Sequence, residues 1–557
     1  SRPQFVMALS TQQRVRAPAR SRRSSRTTRS SRSARPRAVA APESPVQAPS
    51  DPATEGMLDC VIVGGGLSGL CAAKAIRTTQ KDAVERLLVT EARERVGGNI
   101  STMSNDEGFL WEDGPNSFQP GPPILRMAVD CGLKDDLVLG DPGATRFVWW
   151  DKQLRAVPAG LLDLPFFNLM SIPGKIRAGL GAIGLRPAAP EGVEETVEQF
   201  IKRNLGDEVY YRLIEPFCSG VYAGDPTKLG MKAAFGKITA LEEKGGSIMG
   251  GTLKLMQEKA ANPPVVDPDL PKVVGQTVGS FRKGLRMLPD AIEKEFKEDT
   301  RVNWKLQEID AIAGGGYALT YDTPEGERVV KTKVVLMTTP TWVTAEIVRR
   351  HSADASDALR SIHYPPVCAV TLAYPVEALR DNLRGPDGDV TNAFGQLHPR
   401  TQEITTLGTI YSSSLFPNRA PKGWVLLLNY IGGMLNEGIK DQTEEEIVAQ
   451  VYKDNKVTTV KPDAPEPKVL GVRLWPKAIP QYMPGHDTVI AEAREALEND
   501  GLEGVLLSGN FVHGVALGKC CDGAYTAAQE VADKLKEMGT PAGVGASSSD
   551  GGESLFV

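Results

Sequence analysis

The sequence predicts an α/β protein, α+β overall, whose central sheet is assembled from separated stretches of chain. Three observations carry this. Residues 58–63, LDCVIV, form a short apolar, β-branched run that leads into Gly64-Gly65-Gly66-Leu67-Ser68-Gly69 and then the helical pattern LCAAKAI. Residues 505–510, VLLSGN, repeat the theme near the other end, with a glycine turn at Gly509-Asn510 and a helical pattern from Asp522 through Lys536. Between them lie runs such as VCAVTLAY, ITTLGTIYSS and WVLLLNYI, which read as a second, mainly antiparallel sheet. The expected architecture is a discontinuous Rossmann-like nucleotide domain, a mixed-sheet substrate domain and a helical domain.

Residues 1–52 are not expected to belong to that fold. Their core is rich in Ser, Arg, Ala and Pro, with runs such as SRRSSRTTRSSRSARPR and no helix or strand period. An arginine- and serine-rich, acid-poor start without an apolar h-region reads as an organelle transit peptide. The competing reading is a basic tail for RNA or an anionic membrane. Residues 540–557, small and polar, read as a disordered tail. The whole chain of 557 residues carries −5, yet residues 1–42 hold eleven arginines and no acid, so the remainder carries −16. A body that acidic lacks the basic footprint of a nucleic-acid binder. With 41% hydrophobic and 24% charged residues, a disordered or polytopic membrane chain is excluded. Seven cysteines in this length are too few for a disulfide scaffold and indicate a reducing compartment.

The first strand–turn–helix carries G-x-G-x-x-G in its proper place. Gly64 permits the tight turn, Gly65 and Gly66 let the backbone approach a pyrophosphate, and Gly69 lets the helix pack close to the strand. Leu67 and Ser68 lie in the turn ahead of the helix, whose N-terminus favours phosphate anions. A second strand, RLLVTEA, ends at Glu91, placed to accept hydrogen bonds from both ribose hydroxyls of an adenosine. Its carboxylate would repel a 2′-phosphate, which disfavours NADP here.

Glu91-Ala92-Arg-Glu-Arg95-Val-Gly-Gly98-Asn resembles the E-x-x-x-R-x-G-G motif of the flavin amine oxidase superfamily. The resemblance implies one non-covalent FAD per chain, with Arg95 against its diphosphate and Gly98 beside the flavin. The turn that follows, Asp113-Gly114-Pro115-Asn116, is then expected to approach the isoalloxazine. Leu306 is expected near the adenine, and Trp475, Gly509, Asn510, Val515, Ala516 and Leu517 around the flavin. The FAD domain would comprise 57–140, 275–345 and 470–538.

The inserts are expected to hold the substrate: a helical block at 146–270 and a sheet at 346–470. Residues 160–185 are unusually apolar but broken by Asp163, Pro165, Pro173 and Gly174, so they do not make a spanning helix. They read either as a face docked on a membrane or as helical core. EPFCSGVYAGDP at 215–226, GTIYSSSLFPNRAP at 408–421 and IPQYMPGH at 479–486, taken with EARERVGGN and WEDGPNSFQP, resemble the plastid protoporphyrinogen oxidases. That resemblance spans residues 57–538. It implies a six-electron oxidation of protoporphyrinogen IX to protoporphyrin IX in three FAD cycles, with O2 reduced to H2O2, on the way to haem and chlorophyll. It also implies a chloroplast enzyme sitting peripherally on a thylakoid or envelope membrane, and leaves a homodimer open. Arg146 matches the position that binds a substrate propionate; Gly220, Gly224, Leu397 and Tyr411 match positions beside the tetrapyrrole. A plastid carotene desaturase or polyamine oxidase on the same scaffold is the alternative reading. No side chain is expected to act as a catalytic nucleophile, because the flavin carries the chemistry. The five histidines and seven cysteines show no metal-ligand spacing. Vicinal Cys520-Cys521 read as tight packing beside the flavin turn, with a thiolate at a helix start as the alternative.

Overall fold

Residues 58 and 60–63 are apolar on both faces of their strand and all are buried, as a central parallel strand requires. In the computed structural model, Met57–Val63 lies parallel between Gly326–Met337 and Leu87–Thr90, with Thr300–Arg301 beyond the latter. Val505–Leu507 pairs in parallel with the end of Gly326–Met337. The first half of that long strand runs on into an antiparallel extension with Tyr317–Thr323 and Lys305–Ala311. The strands of this sheet thus come from 57–90, 300–337 and 505–507. The residues described are 51, 54–158, 167–263, 267–385 and 390–539. The expected leader, Asp51 apart, and the tail at 540–557 lie outside them, as do residues 160–166 of the apolar segment.

Helices Leu67–Thr79 and Leu517–Gly539 cover one face of the sheet, in a core built on Cys60, Ile62, Leu70, Ala527 and Ala528. The second helix starts five residues before the expected Asp522 and takes in both vicinal cysteines. The opposite face packs on Val61, Tyr321, Ala345, Leu359 and Leu497.

A second sheet of seven strands runs in the order Lys468–Trp475, Val367–Pro375, Trp424–Gly432, Thr406–Tyr411, Ala393–Leu397, Thr145–Trp150, Gln153–Ala156. All its pairings are antiparallel except Ala393–Leu397 with Thr145–Trp150. Two placements differ from the sequence expectation. Lys468–Trp475 pairs with Val367–Pro375, so the substrate sheet reaches through Trp475 rather than stopping at 470. The block from 146 opens with two strands rather than helix, because TRFVWW is β-branched and aromatic and finds an open sheet edge. Between the sheets the chain forms Ile172–Ala182, Val197–Leu205, Glu215–Tyr222, Met231–Gly245 and Ile248–Ala261. Among the described residues, no helix is long and apolar enough to cross a membrane.

Candidate functional site

The glycine turn is shaped by contacts that only glycine tolerates. Gly64 has φ +113°. A Cβ on Gly69 would lie 2.0 Å from the Gly64 carbonyl oxygen, so any larger residue would push the helix off its strand. Thr338 Oγ1 donates to the Val63 and Gly64 carbonyls (3.0 and 2.9 Å) and pins the turn to the neighbouring strand. Gly66 is the N-cap and offers no side-chain cap, so the first-turn N–H groups face the cavity uncapped. Glu91 is buried, at only 8% exposed, and lines that cavity. Gly65 N donates to its Oε2 (2.9 Å) and Arg93 N to its Oε1 (2.8 Å), which aims the remaining lone pairs outward.

The Gly97-Gly98 loop is held against this turn by Gly97 N donating to Gly65 O at 2.8 Å. Arg95 differs from expectation. Its guanidinium donates to the Val96, Gly98 and Ile100 carbonyls (3.0, 3.3 and 3.2 Å) and does not line the cavity. The carbonyls of its own loop capture the cation, so it braces the Gly97-Gly98 bend. At the C-terminal half, Gly509 (φ +116°) turns the chain, Tyr482 Oη donates to Asn510 O, and His486 Nε2 contacts Phe511 O at 2.7 Å.

A single cavity of about 1640 Å³ joins these parts. That exceeds the roughly 300–1,000 Å³ of a pocket for one small ligand, so it has room for two. Gly64, Gly66, Leu67, Ser68, Glu91, Ala92 and Gly98 line it, with Gly114, Pro115, Asn116 and Leu306. So do Trp475, Asn510, Val515 and Leu517. Gly65, Gly69, Asp113, Gly509 and Ala516 stand behind that surface and shape it. The Asp113 carboxylate accepts from Trp111 Nε1 at 3.0 Å. Asn116 Nδ2 is buried and has no hydrogen-bond partner among the described residues. An open helix N-terminus, an outward carboxylate and an unsatisfied amide on one wall fit a dinucleotide with a polar ring system.

The cavity's far part is roofed by the second sheet. Arg146 lines it, with Nη2 donating to Gln276 O (3.2 Å) and the guanidinium 5.2 Å from the Phe394 ring centroid. Leu397 also lines it, and a Cβ on Gly220 would come within 2.5 Å of Leu397 Cδ2, so helix Glu215–Tyr222 abuts the roof there. Gly224 and Tyr411 do not reach the cavity. Gly224 sits in the turn after that helix, where its carbonyl accepts from Arg400 Nη2 at 3.1 Å. Tyr411 projects from the opposite face of its strand into the core with Val370 and Val451, and its hydroxyl donates to Gln396 Oε1 at 2.5 Å. Ile410, one residue earlier, takes the cavity face. Sequence reasoning missed Phe394, Ile410 and Tyr430, all on the roof.

Burial keeps the Cys520 thiol and the His398 ring neutral. Burial pushes the Cys520 thiol up to about 12, so it is protonated despite its place at a helix start. Cys71 Sγ lies 3.8 Å from Cys521 Sγ in the helix–helix core. Burial lowers His398 to about 4; Nδ1 contacts Thr406 O (2.6 Å) and Nε2 contacts Gln396 Nε2 (2.9 Å), so the ring is neutral. Among the described residues no group of His, Cys, Asp and Glu is arranged to hold a metal ion.

Fold and site together define a dinucleotide-binding α/β protein with room for a second ligand. The family described as flavin containing amine oxidoreductase matches residues 67–536. The chloroplastic protoporphyrinogen oxidase of Nicotiana tabacum is 59% identical over 481 residues, covering 86% of each chain. Protoporphyrinogen oxidase 1, chloroplastic, of Arabidopsis thaliana is 58% identical, over 85% of this chain and 88% of that one. Cyclohexylamine oxidase from Brevibacterium oxydans shares the fold at 17% identity, with a TM-score of 0.58 over 86% of this chain and 100% of the other. The chain belongs to the flavin containing amine oxidoreductase family and, within it, to the protoporphyrinogen oxidases.

Proposed function

We propose that the chain oxidises protoporphyrinogen IX to protoporphyrin IX in a plastid, with O2 as the terminal acceptor and H2O2 as the by-product. The observation that carries the reading is the joining, in one cavity, of a dinucleotide cradle to an apolar roof with a guanidinium on its wall. When bound, FAD supplies two-electron acceptance, so a six-electron oxidation requires three turnovers. The chain's own residues supply position. Arg146 pairs with a propionate through its planar fork, and Leu397, Ile410 and Tyr430 present an apolar surface to the macrocycle. A carotene desaturase or polyamine oxidase is not favoured, given relatives of this identity on the porphyrin side. The direct test is aerobic incubation with protoporphyrinogen IX, read as porphyrin fluorescence. A protein that binds FAD but yields no fluorescence above the uncatalysed rate overturns the reading.

The protein also docks on a membrane without spanning it. Helix Ile172–Ala182 exposes Ile172, Ile176 and Leu180 (73%, 58% and 42%), and Ile183 continues the stripe at 59%. Their spacing of three and four residues puts them on one helix face, and a stripe this apolar is not left to water without purpose. Flotation with liposomes of plastid galactolipids should carry the wild type. Ile172, Ile176 and Ile183 changed together to Ser should stay behind with unchanged turnover of detergent-solubilised substrate. A wild type that remains in solution as a homodimer, and splits to monomers when the stripe is changed, assigns that face to a second copy instead.

A further inference from the structure

The Asp113–Asn116 turn lies between the dinucleotide cradle and the roof, and its hydrogen bonds divide between the two. On the cradle side, Asp113 N donates to Ser101 O at 2.8 Å. A Cβ on Gly114 would lie 2.0 Å from the Asn99 carbonyl oxygen, so the turn is packed flush on the loop beside Gly98. On the roof side it receives three donors. Trp475 Nε1 donates to Asp113 O (2.7 Å), Tyr430 Oη donates to Gly114 O (2.7 Å), and Ser412 Oγ donates to Asn116 Oδ1 (3.1 Å). Trp475 ends Lys468–Trp475, Tyr430 lies in Trp424–Gly432, and Ser412 directly follows Thr406–Tyr411. These strands span four adjacent positions of the substrate sheet.

We propose that Ser412, Tyr430 and Trp475 are positioning residues that register this turn, and with it the flavin edge, on the strands that hold the substrate. The proposal rests on the functional reading given above. Neither side alone fixes the turn: the cradle supplies one backbone bond, whereas the roof claims two backbone carbonyls and one side-chain oxygen. Ser412 is 2% exposed and does not line the cavity, so it reaches the reaction only through Asn116. By occupying Oδ1 it leaves Nδ2, the unsatisfied donor on this wall, free for a bound acceptor. Tyr430 has two functions on one side chain, because its ring lines the cavity while its hydroxyl holds Gly114. A transfer that needs reacting atoms about 3–3.5 Å apart is sensitive to a shift of a few tenths of an ångström between turn and roof.

The deciding experiment compares the wild-type holoenzyme with Tyr430→Phe and Ser412→Ala. Tyr430→Phe keeps the ring and removes only the hydroxyl. Anaerobic stopped-flow mixing with protoporphyrinogen IX reads the limiting rate of flavin bleaching and the half-saturating substrate concentration. Each variant should lower the rate about ten-fold, equivalent to about 1.4 kcal/mol of barrier, with half-saturation within about two-fold of wild type. Hydrogen–deuterium exchange over residues 113–117 should rise about ten-fold in both, a readout independent of turnover. Unchanged exchange and rate, or a loss carried wholly by half-saturation, overturns the proposal. If Tyr430→Phe fails to retain FAD, Ser412→Ala decides by the same criteria. If the wild-type flavin is not bleached by this substrate, the functional reading fails, while the exchange measurement still decides whether the roof holds the turn.

Discussion

Removing the Glu91 carboxylate separates its two tasks. The side chain accepts from Gly65 N at 2.9 Å and Arg93 N at 2.8 Å while presenting its outer lone pairs to the cavity. Glu91→Ala orphans both backbone donors, and an unsatisfied buried donor costs about 1–3 kcal/mol. Gly65 is buried, so the penalty there is close to full. The FAD-free protein should therefore lose about 2–4 kcal/mol of stability. FAD loses, in addition, hydrogen bonds to a charged acceptor, each contributing about 1.5–3 kcal/mol. With two ribose hydroxyls, affinity should fall by about 3 kcal/mol or more, above a hundred-fold. Glu91→Gln retains one acceptor oxygen and turns an amide NH2 toward the other N–H, so it should lie between wild type and Ala. Fluorescence-quenching titration of deflavinated protein with FAD gives the affinities, and thermal unfolding without FAD gives the stabilities. If Glu91→Ala lowers the unfolding temperature yet binds FAD within about three-fold of wild type, the carboxylate only buttresses the glycine turn, and the ribose assignment is wrong.

Two further outcomes follow from the same geometry. Arg146→Leu should keep FAD content and folding but lower kcat/KM by about 1.5–3 kcal/mol, ten- to more than a hundred-fold, with Arg146→Lys recovering only part because an ammonium lacks the fork. Equal losses toward the free diacid and its diester would show that Arg146 does not hold a carboxylate. Burial raises the Glu112 carboxyl from 4.5 to about 7, against the hydrogen bonds it accepts from Leu285 N and Thr102 Oγ1. The native state thus holds this proton more tightly than the unfolded chain, so the stabilisation is complete below pH about 4.5 and is lost as pH rises through about 7. Glu112→Gln, fixed in the neutral form, should gain up to about 3 kcal/mol on the wild type between those limits, read as the pH dependence of the difference in urea midpoints.

What could be read from the sequence was local in its physics. A buried strand, a glycine turn, a helix and an acid at the next strand end are adjacent in the chain, and each demands a particular residue type. The cradle residues from Gly64 to Ala92 needed no knowledge of partners. The roof did need it. Trp424–Gly432 is buried on both faces over most of its length, so no alternation reveals that Tyr430 turns to the cavity. Thr406–Tyr411 shifts register against its neighbour between Thr406 and Gly408, and a slip of one residue exchanges the faces of every side chain after it. Past that shift Ile410, not Tyr411, meets the cavity. Arg95 shows a different limit. Its place in the motif is legible, but that three nearby carbonyls accept from its guanidinium and that it does not line the cavity is visible only in the coordinates.

The nucleotide cradle also has a topological consequence. Its first helix, Leu67–Thr79, packs on Leu517–Gly539, and Cys71 meets Cys521 across some 450 residues of chain. The sheet edge at Val505–Leu507 and the turn at Gly509 arrive with that same late segment. Contacts of such long sequence separation form slowly, because loop closure precedes any reward from packing. The roof is bound by the same constraint, since Thr145–Trp150 closes onto Ala393–Leu397. Neither half of the cavity is complete until distant parts of the chain have met, so FAD has no formed site on the unfolded chain. A ligand that binds only the native state stabilises it by mass action. FAD bound in the cradle should therefore stabilise the native state in which its two ends meet, and stripping it should raise hydrogen–deuterium exchange at Val505–Leu507 and the Asp113–Asn116 turn before the antiparallel core around Val367–Pro375.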